Sequence, residues 1–265
     1  MEGEAMQGNG NKDRYQLVYI DPEGEGLIPY RMDEGLSFGL GFFETILIRE
    51  IAFYLQEHLD RLNDSLEQFG FHCFVARENV EELIGIHRLR NTACKLIVTE
   101  KNGFVTTRPV PYDPQSYEVG AFITMSGVTR SMHSQLIRHK SLNYGEQILE
   151  LRRARAKGFD DCLFFNERGY VTESTRANLF IIQSGKLITP PVSDGLLPGI
   201  IRQKIVDHFP ACEEHITREQ LTSCQGAFLT NSLLGVMPIS QIEDVRLKRH
   251  PLCQVVMDHF GPMLR

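Results

Sequence analysis

The sequence predicts a mixed α/β (α+β) protein built from two domains. Runs rich in β-branched and other apolar residues, typical of strands, alternate with stretches whose apolar residues recur every three or four positions, as in amphipathic helices. Pro109, Pro111 and Pro114 cluster between apolar stretches near the middle of the 265-residue chain, which is long enough for two domains. We therefore expect a first domain over 15–118, a connection over 119–129 and a second domain over 130–265.

The individual elements follow from the same patterns, taken in chain order. Strands are predicted over 16–20, 44–49, 96–100, 120–125, 161–166, 178–183 and 227–230. Helices are predicted over 58–69, 78–89, 144–157 and 200–209. The first helix places Leu59, Leu62 and Leu66 on one face. The third has acids near its start, bases near its end and Gly158 just beyond it, as the helix dipole and C-cap preferences favour.

Composition and charge narrow the class of protein. With 42% hydrophobic and 23% charged residues, the chain has the composition of an ordinary soluble globular protein. Its net charge of −6 argues against a general nucleic-acid binder, and no apolar run approaches the roughly 20 residues of a membrane span. The six cysteines form no C-x-x-C pair and have no histidine at zinc-ligand spacing, so we expect no metal site and a reducing, cytoplasmic setting.

Lys140 is the first candidate for chemistry, because several common catalytic signatures are missing. The chain has no G-x-S-x-G elbow, no P-loop, no H-E-x-x-H and no G-x-G-x-x-G that opens a helix. Lys140 stands in RHKSLNY (138–144), next to Arg138 and His139. Neighbouring positive charge lowers the proton affinity of a lysine, and Schiff-base chemistry needs the neutral amine. The alternative is a solvated lysine in a basic turn.

Three further segments place polar groups beside apolar ones. Glu173, in GYVTES (169–174), precedes a predicted strand and could be buried and paired, or could be a solvated turn residue. In GLLPGIIR (195–202), glycine and proline precede a helix whose free N–H groups could bind phosphate, although proline-initiated helices are common. Arg61 interrupts the apolar face of the first helix, which suits phosphate recognition or a side chain that reaches from the helix flank to water.

The order of these motifs resembles the class IV pyridoxal-phosphate enzymes, the branched-chain and D-amino-acid aminotransferase-like family, over about residues 15–260. The matching stretches are SFGLGFFET (37–45), HLDRL (58–62), KSLNY (140–144), VTES (171–174), ANLF (177–180), LPGIIR (197–202) and TNSLLGVMP (230–238). The resemblance implies a two-domain α/β fold with pyridoxal 5′-phosphate in the interdomain cleft, and usually a homodimer that acts on a small amino or carboxylate substrate.

The resemblance also implies roles for particular residues. Lys140 would bind the cofactor covalently and move protons, and Glu173 would hold the N–H of its ring. The remaining contacts would come from Arg61, the backbone N–H groups of Ile200 and Ile201 and the hydroxyl of Ser232 at the phosphate, and from Leu197 on a ring face. Ile201 stands where many relatives have threonine, so one hydroxyl contact to the phosphate is lost.

The motifs are most similar to those of 4-amino-4-deoxychorismate lyases, which form 4-aminobenzoate and pyruvate for folate synthesis. NSLLGVMP (231–238) and KSLNY (140–144) have the lyase form, whereas ACKLIV (93–98) lacks the Tyr-x-Arg that branched-chain aminotransferases use to bind the substrate carboxylate. Residues 119–145 contain no acid but five basic or titratable residues, which suits an anionic substrate. We expect Arg130 or Arg138 to bind the substrate carboxylates and Thr45 to supply a hydroxyl near the leaving group.

Two alternatives remain on the same sequence. The first is an aminotransferase that acts on branched-chain L-amino acids or on D-amino acids, in which Lys140 moves a proton between two carbons of the cofactor adduct. The second is a non-catalytic binding protein on the same fold, because a fold alone does not prove activity.

Overall fold

The computed structural model describes residues 16–24 and 30–261, so the predicted outer limits at 15 and 265 lie outside the described residues. The first part of the chain forms a four-stranded sheet with three helices. Its elements are β1 (Leu17–Ile20), α1 (Glu34–Phe38), β2 (Gly41–Ile48), α2 (Leu55–Gln68), α3 (Arg77–Ile86), β3 (Thr92–Thr99) and β4 (Gly103–Arg108). The strand order is β1-β4-β3-β2, with β1 parallel to β4 and the other neighbours antiparallel.

The second part of the chain forms a nine-stranded sheet. Its elements are α4 (Pro114–Val119), β5 (Ala121–Arg130), α5 (Gly145–Ala156), β6 (Asp161–Asn166), β7 (Val171–Ser174), β8 (Asn178–Gln183), β9 (Lys186–Thr189), α6 (Ile200–His208), β10 (Ala211–Glu213), α7 (Arg218–Ser223), β11 (Gly226–Asn231), β12 (Gly235–Ile242), β13 (Val245–Arg246) and α8 (Pro251–His259). The strands run in the order β10-β9-β8-β11-β12-β5-β6-β7, and β13 pairs with β12. Because Glu173 of β7 also pairs with Asn178 of β8, the strands from β8 round to β7 close into a ring.

Three apolar clusters hold these elements together. One takes alternate residues from the strands of the ring, such as Leu179. A second lies between the first sheet and its helices and includes Leu62. The third packs α6 and α8 on the second sheet around Phe228, and it also contains Leu47 and Ala93 from the first sheet. The two sheets therefore pack directly against each other.

The apolar face of α2 shows how local sequence fixes an element. Leu55, Leu59, Leu62 and Leu66 recur every three or four residues and are all buried. The helix ends at Gln68 with Phe69 as its C-cap, and Gly70 follows in the left-handed region at φ 75°. This helix, predicted over 58–69, begins three residues earlier than expected, at Leu55.

The mixed α/β class and all four predicted helices are confirmed, as are the seven predicted strands. The turn signals at 166–169 and 183–186 predicted the hairpins that β7 and β9 complete, whereas α1, α4, α7 and α8, and β4, β10, β12 and β13, were missed. Most are short. The eight-residue β12 was not predicted because Pro238 interrupts its strand pattern. In the structure this proline nevertheless pairs with Phe228 of β11. Most of the segment predicted as a connection, 119–129, forms β5 between β6 and β12, and the domain limits stay a prediction.

Two negative findings apply to the described ranges, 16–24 and 30–261. No helix there has both the length and the apolar content needed to cross a membrane. No group of three or more histidine, cysteine or acidic side chains in those ranges could hold a metal ion. All six cysteines are free thiols.

Candidate active site

A cavity of about 640 Å³ lies where the two sheets meet. The first sheet and α2 supply one wall, and the second sheet, α5 and the start of α6 supply the other. Nearly all of the residues expected to form the site line this cavity: Thr45, Arg61, Arg130, Lys140, Glu173, Leu197, Ile200 and Ser232. The fold therefore brings together side chains that are far apart in the sequence.

Lys140 is fixed by backbone contacts with β2. The amide of Phe43 donates to the carbonyl of Lys140 at 2.8 Å, and the amide of Leu142 donates to the carbonyl of Gly41 at 2.9 Å. Lys140 Nζ lies 4.5 Å from the ring centroid of Phe43 and 5.6 Å from that of Tyr144. The amine is therefore held over aromatic rings among the residues that line the cavity.

Burial lowers the pKa of Lys140 to about 8, and the positive charges of Arg61 and Lys95 add to the effect against the opposing charges of Glu44 and Glu173. The expected lowering is thus present, but its cause differs from the sequence argument, which gave that role to Arg138 and His139. A lysine with such a pKa is partly neutral near physiological pH and can act as a nucleophile or a base.

Glu173 is buried at the point where the strand ring closes. Its Oε1 accepts a hydrogen bond from Arg130 Nη1 at 3.0 Å. Its Oε2 accepts from Asn178 Nδ2 at 3.1 Å and from the amide of Leu197 at 3.3 Å. Burial raises the pKa of Glu173, and the Arg130 guanidinium and the Leu197 amide oppose that rise. The carboxyl group therefore has a fixed orientation in the cavity wall and a cation beside it.

Arg61 reaches the cavity from α2 and is oriented by Glu44, a residue that the sequence reasoning missed. The Arg61 Nε and Nη2 atoms each bind a different oxygen of Glu44 at 2.8 Å, and Nη1 donates to the carbonyl of Pro198 at 2.9 Å. His58 Nδ1 lies 2.6 Å from the same carboxylate. Burial alone would raise the pKa of Glu44, but Arg61 and His58 hold it well below its usual range.

A signal for Glu44 was present in the sequence. Its strand neighbours Phe42 and Ile46, two residues away on either side, belong to the apolar cluster under α2, so Glu44 interrupts an apolar face. Arg61 interrupts the apolar face of α2, which packs against that strand. Two opposite charges, each alone on an apolar face, indicate a buried ion pair between the two elements.

The loop before α6 brings free backbone N–H groups to the cavity. Gly199 is the N-cap of α6 and provides no side-chain cap, so the first amides of the helix have no partner from the cap residue. A Cβ atom at Gly199 would lie 1.9 Å from Asn178 Oδ1, so a larger residue would displace Asn178 from its hydrogen bonds to Glu173 and Leu197. Ile200 lines the cavity, whereas the side chain of Ile201 packs in an apolar cluster and only its backbone is available.

The end of the cavity near Arg61 fits a phosphate-bearing cofactor. His58 Nε2 and Thr230 Oγ1 both belong to cavity-lining residues, and neither atom has a hydrogen-bond partner within the described parts of the chain. Buried polar atoms without partners are rare in folded proteins. Together with the α6 N-terminus, Arg61 and the nearby hydroxyl of Ser232, they form the donor set that a phosphate requires.

The two arginines expected to bind substrate carboxylates are placed differently from that expectation. Arg138 is exposed and lines a separate cavity of about 520 Å³, so its guanidinium is not beside Lys140. Arg130 lines the main cavity, where its Nη1 is bound to the buried carboxylate of Glu173 and its guanidinium carbon lies 4.9 Å from the ring centroid of Phe164. Lys95 and Arg108 also line the cavity, and their side chains form no ion pair with another described residue.

Comparison with known proteins gives a consistent result. The model of the family described as "Amino-transferase class IV" matches residues 41–242. A "Putative branched-chain-amino-acid aminotransferase" of Methanocaldococcus jannaschii is 29% identical over 80% of this chain and 81% of its own length. A "D-alanine aminotransferase" of Bacillus licheniformis is 25% identical over 80% and 82%. The crystal structure of a "Putative 4-amino-4-deoxychorismate lyase" from Legionella pneumophila superposes with a TM-score of 0.82 and 27% identity, covering 94% of this chain and 99% of that one.

Proposed function

Because the chain belongs to the class IV aminotransferases, a family of pyridoxal-phosphate enzymes, we propose that it is the lyase that converts 4-amino-4-deoxychorismate to 4-aminobenzoate and pyruvate. The solved structure from Legionella pneumophila, which is named as a putative lyase of this kind, superposes on almost the whole length of this chain, and this match supports the proposal. The proposed cofactor contacts are Arg61, the N–H groups of Ile200 and Ile201 and the hydroxyl of Ser232 at the phosphate, Leu197 at the ring face, Glu173 at the ring nitrogen and Lys140 at the aldehyde carbon.

The observation that supports the lyase most directly is the cationic wall beside Lys140. Lys95 lies in β3 directly opposite Thr45 of β2, and Arg108 of β4 is its diagonal neighbour on the same face of the sheet. If the aliphatic side chain of a branched-chain substrate packed against the half-buried Lys95, the ammonium group of Lys95 would have neither water nor a hydrogen-bond partner. Burying a charge in this way costs free energy. The lyase substrate has two carboxylates, so it supplies the negative charge that balances the positive charge of this wall.

Each step of the proposed reaction has a residue suited to it. Pyridoxal phosphate supplies an electron sink, which the carboxylate at the ring nitrogen strengthens. Once the substrate amine has displaced it from the cofactor, the freed Lys140, with its pKa lowered to about 8, would accept the proton from the substrate carbon that bears the amine. The electron pair of that C–H bond makes the substrate ring aromatic, and the C–O bond to the enolpyruvyl group breaks. The departing enolpyruvate takes up a proton to become pyruvate. Thr45 lines the cavity, and its hydroxyl is the group that we propose lies near this leaving group.

We extend the proposal to the assembly and location of the protein. Met32, Leu36 and Phe38 form an apolar surface around α1, with exposed fractions of 66%, 58% and 76%. The neighbouring carbonyl of Gly39 accepts a hydrogen bond from Asn143, close to Lys140. Exposed apolar surface beside an active site suits the homodimer that we propose. Six unpaired cysteines suit the reducing cytoplasm.

The test is a product assay with the cofactor-loaded protein. Incubation with 4-amino-4-deoxychorismate is expected to release 4-aminobenzoate and pyruvate in equal amounts, and Lys140→Ala is expected to release neither. An active preparation that binds the cofactor but forms no product would overturn the lyase proposal.

An aminotransferase is the second candidate, because the curated relatives above are aminotransferases by name. The same preparation mixed with L-leucine, L-glutamate or D-alanine distinguishes the two. Rapid conversion of the cofactor from the aldehyde to the amine form would favour the aminotransferase, and slow or absent conversion beside rapid 4-aminobenzoate release favours the lyase.

A further inference from the structure

Arg176 lies in the turn between β7 and β8 and lines the main cavity from the side of the second sheet. One edge of its guanidinium is used within the protein. Its Nε donates to Asp161 Oδ2 at 3.3 Å, and its Nη2 donates to the carbonyl of Asp160 at 3.5 Å. Its Nη1 forms no hydrogen bond with any residue in the described ranges. Part of the guanidinium is therefore free to bind a ligand.

Asp161 fixes the turn that holds Arg176. Its carboxylate is buried and accepts hydrogen bonds from the amide of Cys162 at 2.8 Å and from the amide and hydroxyl of Thr175 at 3.1 and 2.7 Å. The carbonyl of Arg176 also accepts a hydrogen bond from Asn231 at 3.0 Å. The backbone on both sides of the arginine is thus anchored, and its side chain has little freedom to leave the cavity wall.

A second cavity of about 370 Å³ borders Arg176 on the side of its acidic partners. Asp160 and Asp161 line that second cavity, whereas Arg176 and Tyr112 line both cavities and separate them. The ring centroid of Tyr112 lies 5.9 Å from the guanidinium carbon of Arg176. The acids that bind Arg176 do not line the main cavity, so a ligand that reaches Arg176 from the main cavity does not meet their carboxylates.

We infer that Arg176 is a specificity-determining residue that binds a second carboxylate of the substrate across the cavity from Lys95 and Arg108, and that Asp161 is its positioning residue. The inference rests on the proposed function, since it requires a substrate with two carboxylates. A planar guanidinium whose one edge is held by an acid keeps its other N–H groups in a fixed plane, which suits a carboxylate. Cations on opposite walls select a ligand with two negative groups over a ligand with one.

The test compares two unreactive ring acids, isophthalate with two carboxylates and benzoate with one. Calorimetric titration of the cofactor-loaded wild type is expected to give at least about tenfold tighter binding of isophthalate, the value of one charge-assisted hydrogen bond. Arg176→Gln is expected to remove most of this preference. The matched control, Arg155→Gln, removes one positive charge from an exposed position on α5 and is expected to keep it.

Four outcomes overturn the inference. They are a wild type without preference for isophthalate, a preference that survives in R176Q, an equal loss in R155Q, and an unchanged preference in Arg176→Lys. The last variant decides the matter if R176Q does not fold, because one ammonium nitrogen cannot occupy both the position of Nε, which binds Asp161, and that of Nη1, which is left for the ligand. We expect R176K to lose at least about threefold of the preference.

The binding ratio separates this inference from the proposed function. If the preference depends on Arg176 but no 4-aminobenzoate is formed, the lyase proposal fails alone. If 4-aminobenzoate is formed while R176Q keeps the wild-type preference, the role of Arg176 fails alone.

Discussion

The amine of Lys95 and the amine of Lys140 lie over the same aromatic ring, 4.4 and 4.5 Å from the centroid of Phe43. The ring stabilises both positive charges only weakly, whereas the two charges repel each other in a wall with little water. Lys95 is accordingly one of the groups that lower the pKa of Lys140. A second lysine thus helps to keep the first one neutral.

Replacing Lys95 by methionine is expected to raise the pKa of Lys140, because one repelling charge is removed while the packing volume is kept. The rate of cofactor uptake by the cofactor-free protein, followed by rapid mixing across pH, reports the neutral fraction of Lys140. The midpoint, the pH at which this rate reaches half of its maximum, is expected near 8 in the wild type and higher in K95M. Lys157→Met, at an exposed position, is the control and should leave the midpoint unchanged. An unchanged or lower midpoint in K95M would contradict the coupling.

The lowered pKa of Lys140 also makes the stability of the cofactor-free protein depend on pH. The ordinary lysine value is 10.5 and the folded value is about 8, so between them the unfolded chain binds more protons than the folded one. The contribution of Lys140 to the free energy of unfolding should therefore rise with pH across that window and be absent below it. Denaturant titrations of wild type and Lys140→Met test this, because K140M lacks the rise. Parallel pH curves for the two proteins would count against it.

Loss of the Glu44 charge is expected to lower the unfolding free energy and the cofactor affinity far more than loss of an exposed acid in the same region. Glu44→Gln leaves Arg61 and His58 without their buried carboxylate, which should cost about 3–5 kcal/mol of unfolding free energy and weaken cofactor binding at least tenfold. Glu57→Gln is the matched control, since Glu57 pairs with Lys204 at a partly exposed site and should cost less than about 1 kcal/mol. Similar losses of unfolding free energy and cofactor affinity in the two variants would show that Glu44 does not orient Arg61.

Sequence patterns predicted the parts of this molecule whose signals are local. The face of α2 repeats at helical spacing, and the motifs around Lys140 and Glu173 are contiguous, so both could be found without a structure. Positions that depend on pairing across strands could not. Lys95 matters because β3 places it opposite Thr45, and this register is fixed by contacts far apart in the chain.

The expected roles of Arg130 and Arg138 illustrate the same limit. Both were chosen because they lie in the acid-free, basic stretch 119–145, but the charge of a stretch does not fix the direction of its side chains. The loop turns Arg138 outward, and β5 points Arg130 at Glu173. Arg176, 36 positions after Lys140, gave no periodic or motif signal, and its place in the cavity wall follows from the closure of the strand ring beside it.

Glu173 is expected to control the rate rather than the fold. Glu173→Gln keeps the shape of the side chain and can still accept a hydrogen bond from Arg130, but it removes the negative charge beside the proposed position of the ring nitrogen. We expect cofactor binding to be retained and kcat to fall by about 10² or more, the usual cost of losing one preorganised electrostatic contact. Glu173→Asp keeps the charge and should be the milder change. Equal kcat values in E173Q and wild type would exclude this role.

The most direct test of the account is the identity of the lysine that bonds to the cofactor. Borohydride reduction of the cofactor-loaded protein, followed by proteolysis and mass spectrometry, should locate one phosphopyridoxyl group on Lys140 and none in Lys140→Ala. A stable label on Lys95 or on any other lysine of the wild type, or no label at all, would contradict the site described above.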